Sequence, residues 1–223
     1  MANELVLGLD GYPNGWACVA LIDGEVRAAF GARTITEAVG RFPGVAAIGI
    51  DMPFALTAFG PRAVDRHARS FVRPRTSSVF SVPPEPTLAA SSHAEAVTIA
   101  RVHGGPAPSA QCYGLFPKIR EAGEAARAGL PLYEVHPEVS FRALGGVVLA
   151  RKRSWNGQRA RLNLLEEAGI HLGDCEGDDI PADDLLDAAV AAWSARRIVR
   201  GEALTLPATP TDQERAANML VWY

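Results

Sequence analysis

Four acidic side chains stand where the sequence gives little local reason for them. Asp10 follows the run Leu5-Val6-Leu7-Gly8-Leu9, and Asp51 follows an apolar run over 45–50. Continuous apolar runs of this length read as strands buried on both faces, so each delivers a carboxylate at its carboxyl end. Glu134 lies in a third short strand over 130–136, sharing one face with His136 while Tyr133 and Val135 take the other. Asp187 is flanked by Leu185, Leu186, Ala188, Ala189 and Val190 on a helix, and helical spacing puts Asp184 on its stripe. An unpaired carboxylate on so apolar a helix is costly to bury, and a bound cation would remove that cost. Carboxylates without Cys or paired His partners suit Mg²⁺ or Mn²⁺, not zinc. Two such ions about 4 Å apart activate water and stabilise the leaving oxygen of a phosphodiester. The expected chemistry is therefore metal-assisted phosphodiester hydrolysis, with Asp10, Asp51, Glu134 and Asp187 as catalytic acids. Asp10, Asp51, Asp184 and Asp187 are the expected metal ligands. Bland readings exist for some of these acids: Asp51 as a turn cap before Pro53, and Asp184 or Glu138 in a first helical turn, where the dipole favours acids.

Candidate anion contacts lie close by in sequence. Arg62, Asp65, Arg69 and Arg73 fall at helical spacing on a helix over 61–73, which starts about ten residues after Asp51. Arg75, Ser77 and Ser78 continue as a loop rich in guanidinium and hydroxyl donors suited to phosphate oxygens, although the two serines could equally cap local backbone. Arg62, Arg69 and Arg75 are expected on the rim of the acidic cleft, with Lys118 and His136 as further substrate contacts. Taken alone, Lys118 reads as a surface charge. Arg151-Lys152-Arg153 and Arg159 to Arg161 form a basic cluster around an Asn156-Gly157 turn.

The elements that must position these groups alternate strand and helix. A hairpin is expected around Asp23-Gly24, whose residue types suit a type I′ turn. Thr34 or Thr36 caps a first helix, with Glu37 three residues after Thr34. Helices are predicted over 61–73, 88–102, 111–128 (interrupted by Pro117), 139–144 and 161–168, and around Asp187. The segment 103–109 reads as a lid or flexible loop; it lacks the G-K-[ST] ending of a phosphate-binding Walker loop. The tail after Gly201 has no assignment. At 223 residues, 48% hydrophobic and 21% charged, the chain fits one large domain. A net charge of −3 gives no global nucleic-acid footprint, so any polyanion must be held locally. Three cysteines without C-x-x-C spacing indicate neither a disulfide framework nor a zinc knuckle. No apolar run reaches a membrane span and no signal peptide is evident, so the expected location is cytoplasmic, with no membrane partner.

GLDGYPNGW, IDMPFAL followed by GPRAVDRHAR, RTSSVF, FPKI, EVHPEVSF, the Lys152…Gly157…Arg161 spacing and DDLLDAAVAAW occur here in order. The chain resembles domain-of-unknown-function family 429, predicted ribonuclease H-like nucleases, from about residue 5 to 197. The resemblance implies an α/β ribonuclease H-like fold: a mixed five-stranded sheet opening with an antiparallel meander and flanked by helices. It implies a single domain over 1–223 with an inserted helical and loop segment at about 60–130. It also implies acids at the ends of the first and fourth strands and on the last helix, the positions of Asp10, Asp51 and Asp187, with Glu134 or Glu138 as a further acid. The Asp184 and Asp187 pair is similar to the paired aspartates of Holliday-junction resolvases. The expected partner is a nucleic acid or nucleotide. Two other classes share these features. One is a non-catalytic nucleic-acid or small-ligand binding module; the other is an ATP-binding phosphotransferase of the same superfold, against which stands the lack of a second glycine-rich nucleotide loop.

Overall fold

A computed structural model describes residues 4–177 and 179–223; Asp178, in the acidic stretch before Asp187, lies outside the described residues. The first strands β1 (Leu5–Tyr12), β2 (Gly15–Ile22) and β3 (Glu25–Ala32) form an antiparallel meander. The β2–β3 turn is made by Asp23 and Gly24 at φ 53° and 93°, as the Asp-Gly pair demands. Helix α1 (Ile35–Arg41) is capped by Thr34, whose hydroxyl accepts from the Glu37 amide at 3.1 Å. Next come β4 (Ala47–Asp51), parallel to β1, and, after a long insertion, β5 (Leu132–Glu134), parallel to β4. The result is a mixed five-stranded sheet in the order β3-β2-β1-β4-β5.

The insertion holds α2 (Ala63–Phe71), α3 (His93–Val102), α4 (Ala110–Gly114) and α5 (Phe116–Arg127). Two expected helices are broken up: the one over 88–102 starts only at His93, after a 3₁₀ turn over 85–89, and Pro117 lies in the first turn of a new helix rather than bending an old one. After β5 come α6 (Pro137–Gly145), α7 (Trp155–Glu167) and α8 (Ala182–Val199). Helix α7 begins six residues before the expected start at 161. Ser154 caps it by accepting from the Gly157 amide at 3.1 Å, so Asn156-Gly157 lies in a first helical turn. The tail pairs β6 (Thr205–Leu206) with β7 (Val221–Trp222) around the short α9 (Asp212–Ala216). No described helix is long and apolar enough to cross a membrane.

Strand alternation sorts the side chains of the sheet onto two faces. Leu7, Leu9, Ile48 and Ile50 pack with α1, α3 and α5 through Ile35, Ala96, Phe116 and Ile119. Val6 and Ala47 face the opposite layer of α6, α7 and α8. Asp10 and Asp51 share the parity of Val6 and Ala47, so both point toward α8. Gly8 and Gly49, register partners two residues earlier, let α8 lie directly on the sheet. A Cβ on Gly8 would stand 2.0 Å from the Ala188 carbonyl oxygen, and one on Gly49 would stand 2.3 Å from that of Ala191. Helix α8 answers with alanines at 188, 189, 191, 192 and 195, all fully buried. Gly49→Ala is therefore expected to lift α8 and destabilise the fold by about 1–3 kcal/mol, the range for an overpacked core. Urea unfolding checks the stability, and Mn²⁺ titration checks whether Asp187 has moved from Asp10 and Asp51.

Candidate metal centre

Asp10 and Asp51 are register partners on adjacent parallel strands, and Asp187 projects from α8 one turn below the Ala191 that covers Gly49. Each of the three offers a carboxylate oxygen, and these oxygens lie within 4.8 Å of one another. Asp10 and Asp187 are 5% and 3% exposed, whereas Asp51 is partly exposed. Two oxygens on opposite sides of one magnesium are about 4.2 Å apart. The triad thus needs at most a small contraction to share an ion, or none to bridge two. An all-oxygen donor set of this size fits Mg²⁺ or Mn²⁺.

Burial drives the electrostatics. It pushes Asp10 well above the usual carboxylate range, reinforced by the charges of Asp51 and Asp187. Burial likewise raises Asp51 to about 6 and Asp187 to about 7, in each case against the pull of Lys152. Asp184 is raised by its own burial and by Asp183. The Lys152 ammonium lies 2.6 Å from Asp187 Oδ2 and 3.7 Å from both Asp183 Oδ2 and Asp184 Oδ1. Burial opposes the Lys152 charge, but the attraction of Asp187 overcomes it and holds the group protonated. Lys152 is a tethered counter-ion to the cluster. Because the folded pKa values of Asp51 and Asp187 exceed the ordinary 3.8, the folded chain keeps protons that the unfolded chain has released. The stability these groups contribute is whole below about pH 4 and is lost as pH rises through 6 and 7. In chelator, the melting-temperature advantage of Asp187→Asn over the parent should widen between pH 5 and 8.

Other expected site residues are placed differently. Glu134 pairs in register with Ile50, so it points to the sheet face opposite Asp51 and is not among the three converging acids. There it receives Arg62 in a two-pronged ion pair, Nη1 to Oε2 at 3.0 Å and Nη2 to Oε1 at 2.5 Å. Arg62 is 1% exposed and also donates through Nε to Asp65 at 3.0 Å, so it is a buried strut and not a rim contact. It precedes α2 in extended conformation, off the helical stripe that the spacing suggested. Arg69 is half-buried and donates to the Val79 carbonyl at 2.8 Å, and the Ser78 hydroxyl donates to that of Arg75, so both brace the loop. Ser77 is exposed, and Arg75 keeps a buried Nε without a partner among the described residues. The Lys118 ammonium donates to the Gly15 carbonyl at 2.6 Å and sits 4.6 Å from the Trp16 ring centre. His136 donates from Nε2 to the Ser78 carbonyl at 3.2 Å, and burial lowers its pKa, keeping the ring neutral. That tautomer leaves a buried lone pair on Nδ1 without a partner among the described residues.

A family model described as Protein of unknown function (DUF429) matches residues 8–212. The chain belongs to this family. No curated protein and no solved structure matches it. In this DUF429 chain the residues that sequence reasoning left without a role are Lys152 and its support. Arg161 is fully buried and donates through Nη1 to the Ala150 and Gly157 carbonyls at 2.9 and 3.0 Å. Its Nη2 donates to Glu138, which explains that acid without a metal. Arg161 thereby clamps the loop that carries Lys152 onto α7. The Lys152…Gly157…Arg161 spacing was the available signal, since Gly157 must also admit the Arg151 carbonyl, 1.9 Å from where a Cβ would stand. Lys152→Met should bind Mn²⁺ several-fold more tightly at pH 8, because the ion no longer displaces an ammonium, and should melt lower without metal. Calorimetric titration and thermal melting in chelator read the two effects.

Proposed function

We propose that this chain is a ribonuclease H-like nuclease that hydrolyses phosphodiester bonds with Mg²⁺ or Mn²⁺. The observation that carries the reading is the convergence of Asp10, Asp51 and Asp187, from two adjacent parallel strands and the helix laid across them, within 4.8 Å. The strand order and the antiparallel opening meander support the same fold reading. Asp10, Asp51 and Asp187 would hold the metal, with Asp184 beside them. A bound divalent ion of this kind polarises a phosphoryl oxygen and supplies hydroxide at neutral pH.

The chain's own residues divide the remaining work. The carboxylates would give up their protons to hold an ion, with Asp51 the most exposed of the three. Lys152, 35% exposed along its side chain, would be displaced from Asp187 by the ion and could then meet an incoming phosphate. Arg62, Glu134 and Asp65 keep the insertion packed behind the sheet. The substrate is a nucleic acid or a nucleotide. The test is incubation of parent and Asp51→Asn with Mg²⁺ or Mn²⁺ on single strands, hybrids, flaps, junctions and nucleotides. Cleavage by the parent that chelator and Asp51→Asn both abolish is the expected result. A parent that binds Mn²⁺ yet turns over none of these phosphodiesters would sink the reading.

A further inference from the structure

The loop and helix start that carry Lys152 hold a second feature that the acidic site does not use. Trp155, at the first position of α7, is 72% exposed and makes no aromatic or cation–π contact among the described residues. An indole left in water on this scale forgoes much of the burial that aromatic side chains normally obtain. Its surroundings are basic. Arg151 and Arg159 are exposed, and Arg159 is four residues along the same face of α7. The Arg153 side chain is 83% exposed, with its Nε 3.1 Å from Asp183 on the rim of the acidic cluster. Lys152, three residues before Trp155, touches Asp187, so Trp155 Cα lies within about 11 Å of the Lys152 Cα. In a chain of net charge −3, an exposed indole with three exposed arginines within four residues of it in sequence is a local match for a polyanion with exposed aromatic faces.

Resting on the nuclease reading above, we infer that Trp155 is a stacking platform for an unpaired base. Arg151, Arg153 and Arg159 would hold the phosphates on either side, and the substrate would be single-stranded next to the scissile bond. Stacked bases satisfy the indole, and every base has a π face, so the contact is tolerant of sequence. A continuous duplex buries its bases in the helix and offers the indole only sugar and phosphate.

The test measures binding of a labelled 12-nucleotide single strand and of its duplex by fluorescence anisotropy, with Ca²⁺ replacing Mg²⁺ to slow turnover. The parent should prefer the single strand and show quenched indole emission when it binds. Trp155→Ala should weaken single-strand binding about tenfold or more, while duplex binding shifts less than twofold. Trp155→Phe should restore most of the affinity without the quenching. Arg159→Gln should flatten the salt dependence by about one phosphate contact. Unchanged melting temperatures in all three variants separate these effects from folding. Single-strand affinity left intact by Trp155→Ala overturns the platform; if the parent still cleaves, the nuclease reading stands without it. No binding and no cleavage of any nucleic acid removes both, and points Trp155 toward a protein partner.

Discussion

Asp10→Asn is expected to abolish Mn²⁺ binding and all metal-dependent hydrolysis while leaving the metal-free protein as stable as the parent or more so. Asp10 is buried between Asp51, its register partner, and Asp187, and in the absence of an ion its charge is opposed by burial and by both neighbours. An asparagine amide fits the same space, removes one negative charge and can donate to a neighbouring carboxylate. The two halves of the prediction therefore move in opposite directions. An ordinary structural aspartate would lose stability when neutralised; a ligand built for a cation gains it. Calorimetric titration reads the binding, a discontinuous cleavage assay the activity, and thermal melting in chelator the stability. Loss of activity of at least about 10³-fold is expected, because a group that holds the ion is lost together with the electrostatic stabilisation it serves. A variant that melts well below the parent without metal, yet binds Mn²⁺ normally, would reassign Asp10 to the core.

Arg62→Ala should unfold the protein more readily by about 3–5 kcal/mol, the usual result of removing one partner of a buried ion pair. For a chain of this length that corresponds to a fall in melting temperature of about 10 °C. Four groups lose their donor at once: both Glu134 oxygens, Asp65 Oδ1 and the Ala55 carbonyl. Asp65 also accepts from the Val82 amide at 3.0 Å, so the network ties β5, α2 and the following loop to one guanidinium. Arg62→Lys is expected to recover only part of the loss, since an ammonium cannot match the two-pronged carboxylate or reach Asp65 with the same fork. The decisive contrast is with substrate binding. If Arg62→Ala folded with parental stability and lost only affinity for nucleic acid, the guanidinium would be a substrate contact and the strut assignment would fall.

The sequence made Asp10, Asp51 and Asp187 legible because an acid in an apolar run is anomalous whatever the tertiary structure. Their convergence was less legible, yet two parallel strands of equal parity and one apolar helix leave few alternatives. Glu134 was misplaced for a different reason. Its strand has only three residues, and the face it takes is set by pairing with Ile50, some eighty positions away, which no local period reports. Arg62 differs through a boundary: a helix starting at 63 rather than 61 turns the first member of a stripe into an extended flanking residue. Lys152 was visible as part of a basic cluster, but its contact with Asp187 crosses thirty-five residues and depends on a loop. Asn156-Gly157 looked like a turn because those residue types favour one, and the Ser154 cap outweighed them.

The paired glycines under α8 also govern how the molecule opens. With helix backbone seated on strand backbone, α8 has no side-chain layer along which it could slide or tilt. Asp187 therefore parts from Asp10 and Asp51 only when the central packing itself comes undone. An ion held across that seam would bind only the closed packing, so it would stabilise the seam even though it could leave past the partly exposed Asp51. Amide hydrogens in β1, β4 and α8 would then exchange through one shared event, and saturating Mn²⁺ would slow all of them by a common factor, the one by which ligand binding shifts global unfolding.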